Sequence, residues 1–420
     1  MRELNTVDLF CGAGGASTGL ELALSRLKMR HKGLAINHWS VAVDTMKRNH
    51  PDIDTMQMKI EDAVPADLVP GGVVDLLWAS PSCTHHSRAK GGKPRSNQLR
   101  AQPELVLTWL DQLFVRRIFV EWGPLNKDGK PIERLKGSCF RSWVASIEAR
   151  NYTVEWRIVN CADYGDATSR RRFFLKAVRK GCGKIRWPEP THAENPQPDL
   201  FGHELKKWRG VRECLDLSDL GKSIFNREHP LSRNTLRRVA VGMKKYNGMD
   251  FLMDMLGSDG GDESRVHLLT KPIPTLTTEM HHYLCTPLVL GQHGGAECRP
   301  IDKPCPTIAT AGAIRVATPI ILDMSRPGGH DSGHVRSADK PIQTLTTCDN
   351  VQVALPVLED GRVIDIRLRM LKPSELAAAH SFPKDYVLTG NRGDQVKQIG
   401  NSVPVMTAKA MCEVDFKEAS

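Results

Sequence analysis

The chain has 420 residues, with 58 lysines and arginines against 48 acidic residues and a formal net charge of +10. That length suits one large α/β unit with a smaller domain beside it. No stretch of about eighteen apolar residues is present, which argues against a membrane-spanning helix, and the basic balance fits a polyanionic partner, most often nucleic acid, over the plainer reading of cationic solubility. The eleven cysteines are scattered, with no pair at the two-residue gap of a zinc knuckle or redox site, and read as reduced thiols in a cytosol. The opening MRELNTVDLF lacks an apolar signal core, so an intracellular, soluble protein is expected.

In chain order, NTVDLF (5–10) predicts a buried strand, followed by the glycine-rich CGAGGASTG and a helix to about Met29. GLAIN (33–37) is a second strand, VAVDTMKRN a short helix, and VVDLLWAS (73–80) a third strand. LRAQPELVLTWLDQL (99–113) has helical spacing, and RRIFVE, ending at Glu121, is strand-like. Alternating strands and helices predict parallel βαβ units. WPEPTHAENPQPD (187–199) has the proline-rich, polar composition of a linker. Beyond it lies a basic helical stretch, RNTLRRVAVGMKKYNG (233–248), and then a threefold motif: KPIPTLTT (271–278), KPCPTIAT (303–310) and KPIQTLTT (340–347). Each copy precedes an expected apolar strand (CTPLVL, ATPIIL, ALPVLE), as in a repeated supersecondary unit. A Lys-Pro turn feeding alternating Thr and Leu suits a strand with one polar face. The reading is a core over 1–184, an irregular β-rich domain over 185–362, and helical segments in 363–420 that return to the core.

Three places carry chemistry. Gly12, Gly14 and Gly15, between a strand and a helix, put backbone close to a ligand at a helix N-terminus. At the end of the second strand His38 stands where a nucleotide site wants an acid for the ribose, with Trp39 able to stack on a base or simply to be buried. Cys83, in SPSCTHHS, follows the third strand. With His85 and His86 it could supply part of a zinc site, but adjacent histidines rarely both ligate and no second cysteine pair is near. A thiol at the carboxyl end of a parallel strand, before the basic, acid-free RAKGGKPRSNQLR (88–100), reads instead as a nucleophile beside phosphates. No metal is expected.

The ordered set of motifs resembles the DNA cytosine carbon-5 methyltransferases, bacterial and phage forms above all. The matching segments are VDLFCGAGGASTGLE (7–21), AINHWSVAVDTMKRNH (35–50), SPSCTHHS (80–87), VNCADYGDATSRRRFFLKAV (159–178), RMLKPSELAAAHSFP (369–383) and QIGNSVP (398–404). The resemblance implies a class I S-adenosylmethionine-dependent, Rossmann-like core with a target-recognition domain over 185–362. It makes Cys83 the nucleophile, Glu121 the acid, and Arg170 and Arg172 the pair that positions the base. Phe10, Gly12, Gly14, Gly15, Trp39 and Asn401 would line the S-adenosylmethionine pocket, with His38 in place of the usual acid. It implies duplex DNA as partner, no membrane, a monomer, and the cytoplasm of a bacterium or phage-infected host. Because the chain starts almost at the cofactor motif, a prokaryotic or phage origin is expected, in a restriction–modification system, as an orphan enzyme or protecting phage DNA.

Two departures stand out. Val120-Glu121 runs straight into Trp122-Gly123-Pro124-Leu125, where the family has asparagine, valine and several more residues after the glutamate. Ser82 replaces the proline usual before the cysteine. The shortened segment motivates a competing expectation, a silent relative that binds DNA and cofactor without turnover. An RNA cytosine-5 methyltransferase is the third reading, against which the long 185–362 stretch argues.

Overall fold

The structure, a computed structural model, describes residues 2–81, 104–122, 137–198, 202, 204–225, 227–229, 231–246, 250–255, 261–279, 281–289, 299–300, 320–323, 335–337, 351–353 and 364–417. Two compact units divide the chain: one comprises Met1–Cys214, Lys271–Met280 and Lys372–Ser420, the other Leu215–Thr270 and His281–Leu371. Against the boundaries read from the sequence, the first unit takes in 185–214 and the Lys271–Met280 segment, and the second continues to Leu371.

Seven strands build the sheet of the first unit: β1 (Glu3–Leu9), β2 (Arg30–Asn37), β3 (Ile53–Gln57), β4 (Val73–Ala79), β5 (Phe114–Trp122), β6 (Tyr152–Asn160) and β7 (Arg171–Arg179). Between them lie α1 (Gly15–Arg26), α2 (Ser40–Asn49), α3 (Pro65–Leu68), α4 (Leu105–Gln112) and α5 (Gly137–Glu148). The strand order is β3-β2-β1-β4-β5-β7-β6. Strands β1 to β5 are parallel, whereas β7 runs antiparallel to both β5 and β6. The order reverses between β1 and β4, and at such a switch point an open α/β sheet leaves a crevice at the carboxyl ends of its strands.

Side-chain alternation explains how the sheet is covered on both faces. On one face Val7, Leu9, Leu77, Ile118 and Phe173 meet Trp109, Trp143 and Ile147 of α4 and α5. On the other, Leu4, Leu76, Trp78, Phe119 and Phe174 join Leu20 and Leu24 of α1. Neighbouring residues of one strand thus enter opposite cores, which is why these strands read as unbroken apolar runs.

The proline-rich stretch read as a linker packs on this unit instead. Trp187 is buried in the α1-side core and donates through Nε1 to Glu155 at 2.9 Å, while Pro188 O accepts from the Tyr164 hydroxyl at 3.2 Å. A large aromatic with a satisfied N–H anchors what composition alone marks as loose. A short parallel pair, β8 (His192–Ala193) and β9 (Lys206–Lys207), follows.

In the second unit, α6 (Arg233–Lys245) starts at Ser232, whose hydroxyl accepts from Thr235 N at 3.2 Å, an N-cap bond. A largely antiparallel sheet comprises β10 (Lys222–Ser223), β11 (Phe251–Asp254), β12 (Val266–Leu268), β13 (His282–Val289) and β14 (Arg299–Pro300), with β15 (Ile320–Asp323), β16 (Val335–Ser337) and β17 (Val351–Val353) making a separate three-stranded sheet and β18 (Ile364–Met370) returning to the first, between β10 and β13. Phe251 lies against Gly242 of α6 so closely that a Cβ there would stand 2.0 Å from its ring.

The repeat motif differs from the strand expected of it. Lys271–Thr278 makes one isolated parallel bridge, Ile273 with Thr168. Ile273 N donates to Ala167 O at 3.0 Å, and Ile273 O accepts from Ser169 N at 2.9 Å. Pro272 and Pro274 have no N–H, so pairing cannot extend either way. The copies at 303–310 and 340–347, and ALPVLE, lie outside the described residues.

The chain then returns to the first unit as α7 (Pro373–Ala379), α8 (Arg392–Asn401) and α9 (Val405–Phe416). Buried Asp166 holds the start of α9, accepting from Met406 N at 3.2 Å, Thr407 N at 2.9 Å and Thr407 Oγ1 at 2.7 Å. Carboxylate oxygens on first-turn amides oppose the helix dipole. Lys176 of β7 pairs with Asp415 and donates to Met411 O, tying the other end of α9 to the sheet.

Candidate active site

β1 delivers the glycine loop. Its last turn is contorted: Phe10 has φ +60°, Gly12 +55° and Gly14 +78°. Positive φ at phenylalanine is strained, a feature that concentrates at ligand sites. Gly14 caps α1 and its N–H donates to Cys11 O at 2.9 Å. At Gly15 a Cβ would stand 2.1 Å from Val403 O, so the loop and the segment after α8 touch backbone to backbone. The first-turn residues of α1, Gly15 to Thr18, are buried behind this loop, and a helix N-terminus leaves its first amides without intrahelical acceptors. Just upstream, Asp8 is buried and accepts from Ser17 Oγ at 2.8 Å, and burial pushes its carboxyl up to about 7.

β2 delivers the next pair. Asn37 Oδ1 accepts from Trp39 N at 3.0 Å, fixing the turn that leaves His38 exposed and Trp39 half-buried. Lys397 of α8 stands over the Trp39 ring, 4.2 Å from its centroid. Beyond β3, the turn Ile60–Asp62 carries exposed Glu61 and Asp62. Met58 N donates to Asn37 O at 3.1 Å, so this turn continues from the edge where His38 sits. Asn401 is the exposed last residue of α8, two positions before Val403.

β4 ends beside β1, with Ser80 N donating to Leu9 O at 3.1 Å. Cys83, His85, His86 and the basic 88–100 segment lie outside the described residues, as do 123–136 after the shortened stretch. β5 continues through Trp122, so Glu121 is held inside the sheet, opposite Phe174 in the register with β7. Its carboxylate is 3% exposed and pairs with Arg172 Nε at 2.9 Å. The antiparallel course of β7 is what makes this pairing possible, because it sets the beginning of β7 against the end of β5.

The two arginines part company. Arg172 faces Glu121 with its side chain 18% exposed. Arg170 is 3% exposed, and its Nη1 donates to Leu276 O and Gly400 O, both at 2.9 Å. It ties the first KPxxT copy and the end of α8 to the start of β7. His380, absent from the sequence reading, is also buried here, with Nδ1 3.1 Å from Ser402 Oγ. Burial first, then the charges of Arg170 and Arg172, hold it neutral, well below the usual histidine range. The structure therefore gathers Phe10, Gly12, Gly14 and Gly15 with the approach to Asn401, brings Glu121 to Arg172, and engages the Arg170 guanidinium with main-chain carbonyls.

Residues 132–416 match the family model of the C-5 cytosine-specific DNA methylases. The chain belongs to that family. It is accordingly a DNA cytosine carbon-5 methyltransferase with the class I Rossmann-like core that the resemblance implied. Among its relatives, the type II methyltransferase M.AgeI of Thalassovita gelatinovora is 25% identical over 455 residues, covering 98% of each chain. The type II methyltransferase M1.HphI of Haemophilus parahaemolyticus is 23% identical over 99% of this chain and 87% of its own. In fold the chain is similar to the Entamoeba histolytica methyltransferase EhMeth, with a TM-score of 0.51 at 14% identity and full coverage of both. It is equally similar to the S. pombe Dnmt2 methyltransferase, at TM-score 0.51, 14% identity and 99% coverage of both. Among the described residues no helix is long and apolar enough to cross a membrane.

Proposed function

We propose that the chain methylates a cytosine flipped out of duplex DNA, through a transient bond from Cys83 to carbon 6 of the ring. The observation that carries this reading is the buried Glu121–Arg172 pair at the end of β5, next to the end of β4 in the sheet. Carbon 5 of cytosine is a weak nucleophile. Addition of the Cys83 thiolate at carbon 6 moves the ring electrons onto carbon 5. Glu121 acts as the acid, giving a proton to ring nitrogen 3 and so drawing off charge as the thiolate adds. Arg172 fixes the Glu121 carboxylate and presents its remaining N–H groups to the ring oxygen. Arg170 acts indirectly, holding the start of β7 in place. After methylation, loss of the carbon-5 proton restores the double bond and expels the thiolate. Reaching these atoms requires the base to leave the stack.

S-adenosylmethionine supplies the electrophilic methyl group when bound. The chain has a fitting cradle: glycine backbone with no room for Cβ at Gly14 and Gly15, a half-buried indole at Trp39, and a helix N-terminus. Phe10, Gly12, Gly14, Gly15, Trp39 and Asn401 would hold it, His38 donating to the ribose hydroxyls in place of an acid. The second unit, Leu215–Thr270 and His281–Leu371, with the basic α6, reads the target site and holds phosphates, and the enzyme acts as a monomer in the cytoplasm of a bacterium or infected host, in a restriction–modification or phage-protection role. Tritium transfer from labelled S-adenosylmethionine to duplex DNA tests the reading, with bisulfite sequencing to give the site. Incorporation no greater than that of Cys83→Ser would sink it and favour the silent relative; incorporation into RNA alone would favour the third reading.

A further inference from the structure

The last turn of α8 carries a lysine that no step above uses. Val396, Gln398, Ile399 and Gly400 are buried, whereas Lys397 and Asn401 are exposed. Those two are four residues apart, so they share one face of the helix. Asn401 stands two residues before Val403, whose carbonyl meets the glycine loop at Gly15. Lys397 reaches the other way and puts its Nζ 4.2 Å from the centroid of the Trp39 ring. One helix face thus runs from beside the glycine loop to the indole. The helix is firmly held: Asn391 Oδ1 accepts from Asp394 N at 3.0 Å, and Asp394 Oδ2 accepts from Asn391 N at 3.1 Å. Gln398 Nε2 also donates to Thr389 O at 2.9 Å. Trp39 is held less completely. Asn37 Oδ1 fixes its backbone N–H, but among the described residues the indole N–H has no hydrogen-bond partner. Among them, too, no carboxylate pairs with Lys397, whose one charge contact is the ring.

We infer that Lys397 is a positioning residue for the cofactor: its ammonium holds the Trp39 indole at the angle at which the adenine of S-adenosylmethionine stacks on it. This rests on the reading of Trp39 as part of the S-adenosylmethionine cradle. A ligand that stacks on a half-buried indole must order that ring as it binds, at a cost in affinity. A cation drawn to the ring face does the ordering beforehand. It also covers that face, which leaves the opposite one for the base. Because the lysine stem springs from α8, the helix that ends at Asn401 also sets the ring that follows β2. A single rigid element therefore fixes two walls of the site.

A double-mutant cycle on the full chain, read by calorimetric titration with S-adenosylhomocysteine, tests this. Lys397→Met keeps a long stem and loses the charge. It should bind about threefold to fivefold more weakly, the worth of one exposed cation–π contact. Lys397→Arg, which keeps a cation suited to stacking on aromatic faces, should bind as wild type does. Trp39→Leu should itself bind more weakly, and adding Lys397→Met to it should cost nothing further. KM for S-adenosylmethionine should rise in Lys397→Met by the same factor, with kcat and the melting midpoint little changed, because the lysine is exposed and touches no reacting atom. Losses that add across the cycle would put Lys397 on the ligand rather than on Trp39, and tighter binding by Lys397→Met would put its ammonium where the adenine goes. Either result overturns the inference, as does wild-type affinity in Lys397→Met when Trp39→Leu is weakened. If Trp39→Leu binds as well as wild type, the cradle reading of Trp39 falls with it.

Discussion

Replacing Arg170 with alanine separates a base-contacting arginine from one that holds the site together. The side chain is 3% exposed and its Nη1 gives two hydrogen bonds, to Leu276 O and Gly400 O. Truncation leaves two buried carbonyls without their donor, each at about 1–3 kcal/mol, and removes charged bonds that are stronger than neutral ones; a loss of about 3–5 kcal/mol follows. For a unit of this size that is a drop on the order of 5–10 °C in melting midpoint. Arg172→Lys, which keeps a cation against the buried Glu121 but not the guanidinium fork, should melt within about 2 °C of wild type on the same scale and lose methyl transfer instead. Differential scanning calorimetry with single-turnover methylation on the same preparations gives both readouts. If Arg170→Ala melts with wild type while turnover collapses, Arg170 acts on the base and the assignment made here is wrong.

Two further outcomes follow from buried carboxyls. Glu121→Gln keeps the shape of the side chain but cannot share a proton with ring nitrogen 3, so kcat should fall by about 10²–10⁴ while DNA and cofactor affinity hold; normal turnover would remove Glu121 from the chemistry and weaken the case that the shortened segment leaves an acid in place. Asp8 is raised to about 7 by burial, so the folded state keeps its proton to higher pH than the unfolded chain does. Stability therefore declines as pH climbs from about 4 to about 7, by at most about 4 kcal/mol, and Asp8→Asn should melt progressively higher relative to wild type across that window; a difference constant with pH would contradict it.

How much of this could be read in advance depends on distance along the chain. NTVDLF and VVDLLWAS announce parallel strands because both faces are covered, so apolar residues need not alternate. The glycine loop was legible because close backbone approach leaves few residue choices, as the 2.1 Å gap between a Cβ at Gly15 and Val403 O makes plain. Arg170 was not: its acceptors lie 106 and 230 residues away, and nothing local distinguishes it from Arg172. The same holds for Trp187, whose proline-rich setting reads as a linker until its partner Glu155 is seen. KPIPTLTT looks like a strand by its alternation, yet two prolines confine it to a single bridge.

Carbon–sulfur bond formation at Cys83 is the central step, and duplex DNA containing 5-fluorocytosine at the target position tests it most directly, because fluorine at carbon 5 cannot leave as a proton does. With S-adenosylmethionine present, the account predicts a denaturation-resistant protein–DNA complex whose mass includes the transferred methyl group, absent from Cys83→Ser. Folded, cofactor-binding protein that yields no such complex on DNA it demonstrably methylates would contradict it.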